Sequence, residues 1–345
     1  MRIFPVALLP LLTLIAPMPA LCAEPPELPY RVIQHIALGA PDRWDYVSVD
    51  ADSHRAYVAH ADRLTVVDIS RGLVVGQVEG FPGGTHGAAV DTAHNRGYTD
   101  DGESGQIGVF DLKSLQVTHH LKGVADADGI VRDPLSGSIF VINGDSGSIS
   151  VVDPAKVEIT ATIQLGGKLE FAAVDGAGKL YVNGASAKQL LRIDTRSLAI
   201  DARWAIPSCT SPHGLAVDAA NHRAFVSCVN NLLVVVNTDS GALVASLRIG
   251  SGSDAVVFDP VRHRIVSSNG RDGTLSVIQQ KDADTYIAMP DVQTQISART
   301  IGIDTGTGNL YLASAQTQPP AAGAAAGRPR VVPGTLELLV LAPVN

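Results

Sequence analysis

The chain lacks the short motifs that betray many enzymes. Its 345 residues contain no G-x-S-x-G, no H-E-x-x-H, no C-x-x-C-H and no glycine-rich phosphate loop leading into a helix. Those absences remove the hydrolase nucleophile elbow, the zincin helix, c-type haem attachment and the P-loop. Aromatic residues are only 5% of the chain, so any core must be built from Val, Ile, Leu and Ala. Basic residues are outnumbered, 26 Lys and Arg against 34 Asp and Glu, and no basic stripe is visible. Cationic contacts to phosphate supply most nucleic-acid affinity, so this composition argues against nucleic acid as a partner. Beyond the N-terminal region there is no apolar stretch long enough to span a bilayer.

The one long apolar run lies in MRIFPVALLPLLTLIAPMPALCA. Arg2 supplies a positive start, Ile3 to Ile15 is apolar, and Ala20 to Ala23 offers small residues for cleavage. This is the pattern of a secretory signal peptide, residues 1–23, and it points to a periplasmic or secreted protein. The prolines after Phe4 argue against a membrane anchor. Acylation of Cys22 would make a lipoprotein, but Pro19-Ala20-Leu21 lacks the small residue usual before a lipidated cysteine. Losing the leader takes the formal charge from -8 to -9, since it holds one Arg and no acid.

What the remainder has in abundance is repetition. Seven apolar segments end in aspartate: YVSVD, GAAVD, GIVRD, FAAVD, GLAVD, AVVFD and TIGID, closing at Asp50, Asp91, Asp133, Asp175, Asp218, Asp259 and Asp304. Their spacings are 41, 42, 42, 43, 41 and 45. Each is followed by turn residues, a second strand such as RAYVAH or SIFVIN, a Gly/Asn/Asp loop, and a third strand such as LTVVDI or ISVVDP. A weaker fourth strand closes most units. Four antiparallel strands per unit of about 42 residues is the signature of a propeller blade. One such sheet cannot bury both faces alone, so it needs a neighbour on each side. The seventh unit stops after its third strand, and Tyr30 to Gly39 has strand character. The reading is an all-β, seven-bladed β-propeller over residues 24–345, a monomer, with residues 30–39 completing the last blade.

The strands AYVAH, IFVIN, LYVNG and LYLAS, and third-strand endings such as VVD and VFD, resemble the YVTN-repeat seven-bladed propeller family, which includes periplasmic YncE-type proteins. The resemblance covers essentially the whole mature chain. It implies the fold and leaves function open, because propellers host binders, scaffolds and unrelated enzymes. Some YncE-type members are implied to bind single-stranded DNA, and the acidic chain argues against carrying that over. Similar propellers also include lactonases, which use a channel-mouth cluster of His, Glu, Asp and Arg, sometimes with a metal.

Five residues before each repeat aspartate stand Asp45, His86, Asp128, Glu170, His213, Asp254 and Arg299. Propeller geometry predicts that all seven surround one mouth of the central channel. A water-filled funnel explains a polar ring by itself. The order allows more: each histidine lies between two acids, and Arg299 separates Asp254 from Asp45. Imidazole flanked by carboxylates can ligate a divalent metal, so His86, His213, Asp45, Asp128, Glu170 and Asp254 are candidate ligands. The same group suits a small molecule, or a peptide or protein partner, with Trp44 and Tyr46 either stacking on it or plugging the gap between blades. Acid–base or metal-assisted hydrolysis is the enzymatic alternative. The repeat aspartates are expected at the opposite rim, bonding to turn N–H groups. DDGESG, Asp100 to Gly105, reads as a hairpin turn, because it lacks EF-hand spacing. Gln316 to Gly334, rich in Ala, Gly and Pro, reads as a tolerated insertion or a flap over the mouth. Cys209 and Cys228 fall on the mouth side of the fifth unit, where an oxidising compartment permits a disulfide.

Overall fold

The structure, a computed structural model, describes Met1 and residues 27–123, 126–318 and 330–344. The proposed leader falls outside the described residues. So do residues 319–329 of the Gln316–Gly334 segment, whose ends pair as a short ribbon, Thr317–Gln318 with Arg330–Val331.

Runs rich in Val and Ile give short strands, buried along their length in the middle of a blade and alternating in outer strands such as Glu158–Gln164 and Ile200–Ala205, and left-handed turn residues fold them back. One or two residues before each second strand the backbone has positive φ: His54, Asn95, Gly137, Gly178, His222, His263 and Gly308 lie between 52 and 107°. Histidine, asparagine and glycine tolerate this region better than other residues, which explains the ADSH, TAHN, PLSG and AANH turns. The third strands end in a second device. Asp68, Asp111, Asp153, Asp194 and Asn237 each accept the backbone N–H groups two and three residues on. These Asx turns set the hairpin to the outer strand.

Six blades run consecutively from the inside outward. Blade one is Val47–Asp50, Arg55–His60, Arg63–Asp68 and Leu73–Glu79. Blades two to five repeat that order from innermost strands Ala88–Asp91, Ala127–Arg132, Leu169–Val174 and Pro212–Asp218. Blade six starts at Ser253–Asp259, and its outer edge is split into Tyr286–Ala288 and Val292–Gln293, both paired with Thr274–Gln280. Pro290 stands between the two pieces and has no N–H to continue the ladder.

Blade seven closes the ring. Thr300–Ile303, Leu310–Ser314 and Glu337–Pro343 are joined at the outside by Tyr30–Ala37, antiparallel to Glu337–Pro343. The first and last long strands of the described residues are therefore hydrogen-bonded within one blade, which closes the ring. The single helical element among the described residues is the 3-10 turn Thr92–His94.

The core is divided in the same way. Seven apolar clusters are present among the described residues, one at each blade-to-blade seam, including the seam between blades seven and one. Phe225 and Phe258, ring centroids 5.2 Å apart, fill the seam between blades five and six. Towards the axis the sheets converge. A Cβ on Gly302 would lie 2.6 Å from the Val47 carbonyl oxygen, so blades seven and one pack there at glycine distance.

The repeat aspartates serve the far rim, with one refinement. Asp133, Asp175, Asp218, Asp259 and Asp304 accept turn N–H groups. Asp50 instead takes the Ser53 hydroxyl, and buried Asp91 takes His94 and Arg132.

Candidate functional site

Each of the seven ring residues stands at or just before the start of an innermost strand, and consecutive innermost strands pack against one another around the axis. Direct contacts join several of them. Arg299 Nε is 2.7 Å from Asp254 and its Nη2 is 3.6 Å from Asp45. The same guanidinium donates to the Trp44 carbonyl at 2.8 Å. Glu170 lies 3.8 Å from His213 Nε2 and 3.5 Å from Lys168 Nζ. Asp128 has neither an ion pair nor a hydrogen bond among the described residues, and burial together with the Glu170 carboxylate pushes it up to about 7.

His86 is held from behind by Asp100. This carboxylate is fully buried; it accepts the backbone N–H of His86 and of Gly87 at 3.1 Å, and contacts His86 Nδ1 at 2.6 Å. Burial alone would lower the imidazole. The Asp100 hydrogen bond, with the charges of Asp100, Asp45 and Asp128, outweighs it and raises His86 to about 9. Sequence reasoning placed Asp100 in a hairpin turn. The structure places Asp100 and Asp101 at the end of the strand Arg96–Asp101. A signal was available: the equivalent second-strand positions are Ala59, Ile142, Asn183, Ser227, Ser268 and Ala313, so Asp100 is the one charged residue in its column. His86 also borders an open cleft of about 350 Å³ with Arg43, Gly83, Gly102, Glu103 and Asp126.

One residue further along each inner strand, the mouth gains a floor. Tyr46 of blade one and Phe171 of blade four meet edge to face, centroids 4.8 Å apart. Blades one and four are not neighbours, so the contact crosses the channel. The other five residues of this layer are Gly87, Gly129, Gly214, Ala255 and Thr300. Burial pushes the Tyr46 hydroxyl well above its ordinary value, and Asp45, Asp128, Asp254 and Glu170 push the same way. Burial also raises Asp45, to about 6 against the pull of Arg299 and His86, and raises Glu170 against His213 and Lys168. The mouth is thus an acid-rich, partly desolvated bowl with an aromatic floor.

Trp44 takes the plugging role. It is buried in the seam between blades one and seven, with Arg299 stacked 5.7 Å from its ring, and presents no face to a ligand. The six candidate metal ligands are not gathered into a ligand set. Among the described residues no three His, Cys, Asp or Glu side chains stand close enough to hold one ion. The reason is local: Asp100 engages His86 Nδ1, the Ser211 carbonyl engages His213 Nδ1, and Arg299 occupies Asp254 and Asp45. Cys209 and Cys228 form a disulfide, with both cysteines buried.

A closed ring of seven four-stranded blades around a polar mouth defines the chain as a seven-bladed β-propeller. Among solved structures it resembles hydrazine synthase of Kuenenia stuttgartiensis, with a TM-score of 0.68 over 81% of this chain and 95% of that one. At 14% identity, that likeness concerns the fold alone. No family model matches the chain. Two curated proteins do, each called uncharacterized protein YncE, from Salmonella typhimurium and Salmonella typhi, at 28% identity over 194 residues. The match spans about half the length of these relatives, 54%, and the same share of this chain. The chain is thus a seven-bladed propeller with sequence similarity to YncE over about half its length. Among the described residues no helix is long and apolar enough to cross a membrane.

Proposed function

We propose that this propeller is an exported binding protein whose channel mouth takes a small, positively charged ligand. Asp128 carries the reading: it is a carboxylate in the bowl with no direct ion pair or hydrogen bond among the described residues, beside acids that burial already disfavours as anions. A bound cation would relieve that crowding, and the aromatic floor gives the bowl a bottom. Export rests on the leader-like N-terminus and agrees with a disulfide. The test is calorimetric titration of the mature protein with small cations and anions, repeated on Asp128→Asn and Glu170→Gln. Cation binding weakened by both changes supports the proposal. Anion binding, or cation binding that ignores both changes, refutes it.

One observation favours a second reading, acid–base hydrolysis of the lactonase kind. Buried Asp100 orients His86 at the edge of a cleft, the arrangement by which a carboxylate positions a proton-transferring imidazole. A lactone-hydrolysis screen decides it. Turnover abolished by His86→Ala supports hydrolysis, and no turnover above the variant's background refutes it.

A further inference from the structure

The bowl has a second chemical component besides its acids. Tyr46 and Phe171 are the two large side chains of their layer, they meet across the axis, and both remain partly exposed. Above them Glu170 is only 7% exposed, and among the described residues it makes only long ion pairs. Its nearest cations stand off at 3.5 and 3.8 Å. A buried carboxylate is ordinarily satisfied by close donors. One left open at the wall of a bowl has room for a donor from outside.

The fixed charges narrow the class. Arg299 and Lys168 already share the rim, so a compact divalent ion would meet repulsion, and among the described residues no three side chains are gathered to ligate one. An ammonium on a carbon body differs on both counts. Its charge is single and spread over N–H or N–CH3 groups. Its apolar part can lie on ring faces, which attract cations through their quadrupole.

We infer that the mouth binds an organic ammonium ion, its nitrogen held by Glu170 and Asp128 and its carbon body resting on Tyr46 and Phe171. This rests on the mouth-binding reading above and adds the ligand class and two specificity-determining aromatics. An N–H-bearing nitrogen would donate to the carboxylate oxygens, a quaternary one would meet them by charge alone, and the rings fill the space beneath.

The experiment titrates the mature protein by calorimetry with benzylammonium, tetramethylammonium, benzyl alcohol, and magnesium, calcium and zinc chlorides. Binding of the two ammonium ions, and none by neutral benzyl alcohol, is expected. Tyr46→Leu and Phe171→Leu keep apolar bulk and remove the π face. Each should weaken benzylammonium about two- to thirtyfold, the range that cation–π contacts span. Asp128→Asn, at a side chain with no bond to lose, should weaken it further and provides a variant free of packing damage. Ammonium binding indifferent to both leucine variants overturns the inference. Divalent ions binding where ammonium ions do not overturns it while leaving the mouth as a cation site. If no cation of any kind binds, this inference and the reading beneath it fall together.

Discussion

Asp100→Asn isolates the buried dyad. In the folded protein His86 is raised from 6.5 to about 9, chiefly through Asp100 once the opposing effect of burial is overcome. A tenfold change in proton affinity corresponds to about 1.4 kcal/mol, so the retained His86 proton contributes about 3 kcal/mol, Asp45 and Asp128 sharing in it with Asp100. The sign follows from which state holds the proton. Below about pH 6.5 folded and unfolded chains both carry it, and the full contribution is present. Between there and about pH 9 only the folded state keeps it, so stability falls as pH rises. Asp45 and Asp128, also raised, add a decline in the same direction at lower pH. In Asp100→Asn the imidazole drops to or below its ordinary value and the high-pH part of the decline vanishes. Urea unfolding at about pH 6 and about pH 9.5 should show the gap between wild type and variant narrowing by about 3 kcal/mol at the higher pH. A titration of the His86 ring protons by NMR reports the same change directly. A wild-type His86 that titrates at or below its ordinary value, or a gap independent of pH, would refute the reasoning.

Three further outcomes follow from the same structure. Phe225→Ala empties the seam between blades five and six and should cost about 3 to 5 kcal/mol in chemical denaturation. A loss well under 1 kcal/mol would mean that this seam is not packed as described. The disulfide closes a span of 19 residues, so the unfolded non-reduced protein should show no free thiol, and reduction should cost about 3 kcal/mol of stability. Cation binding should tighten from about pH 5 to about pH 8 and release protons, because Asp128 and Asp45 must shed theirs near 7 and 6. Calorimetry in buffers of different ionisation enthalpy measures the protons, and proton uptake would contradict the charge assignment.

The fold was legible because its periodicity is covalent. Aspartates 41 to 45 residues apart, short apolar strands and left-handed turn residues recur in every unit, and the missing outer strand of the last unit stood in plain view at Tyr30–Ala37. The ring was legible for the same reason, since register within the repeat fixes which residues start the inner strands. Side-chain direction was harder. Trp44 precedes Asp45 by one residue in the segment leading into the strand, and it turned into the seam. Phe171 follows Glu170 and turned into the channel, where only a contact across the axis reveals its partner. Asp100 was hidden by its neighbours: read as one string, DDGESG is a turn, whereas read as a column across seven units its first residue is a charge among uncharged residues. Among the described residues the candidate metal ligands are not gathered into a set, and sequence order around a ring does not report which nitrogens and oxygens are already engaged.

A crystal structure of the mature protein soaked with benzylammonium tests the central claim most directly. The account predicts density in the mouth, the nitrogen within hydrogen-bonding distance of Glu170 or Asp128 and the ring against Tyr46 and Phe171. Density on the outer surface with an empty bowl, or Asp128 and Glu170 turned away from a shared opening, would contradict it.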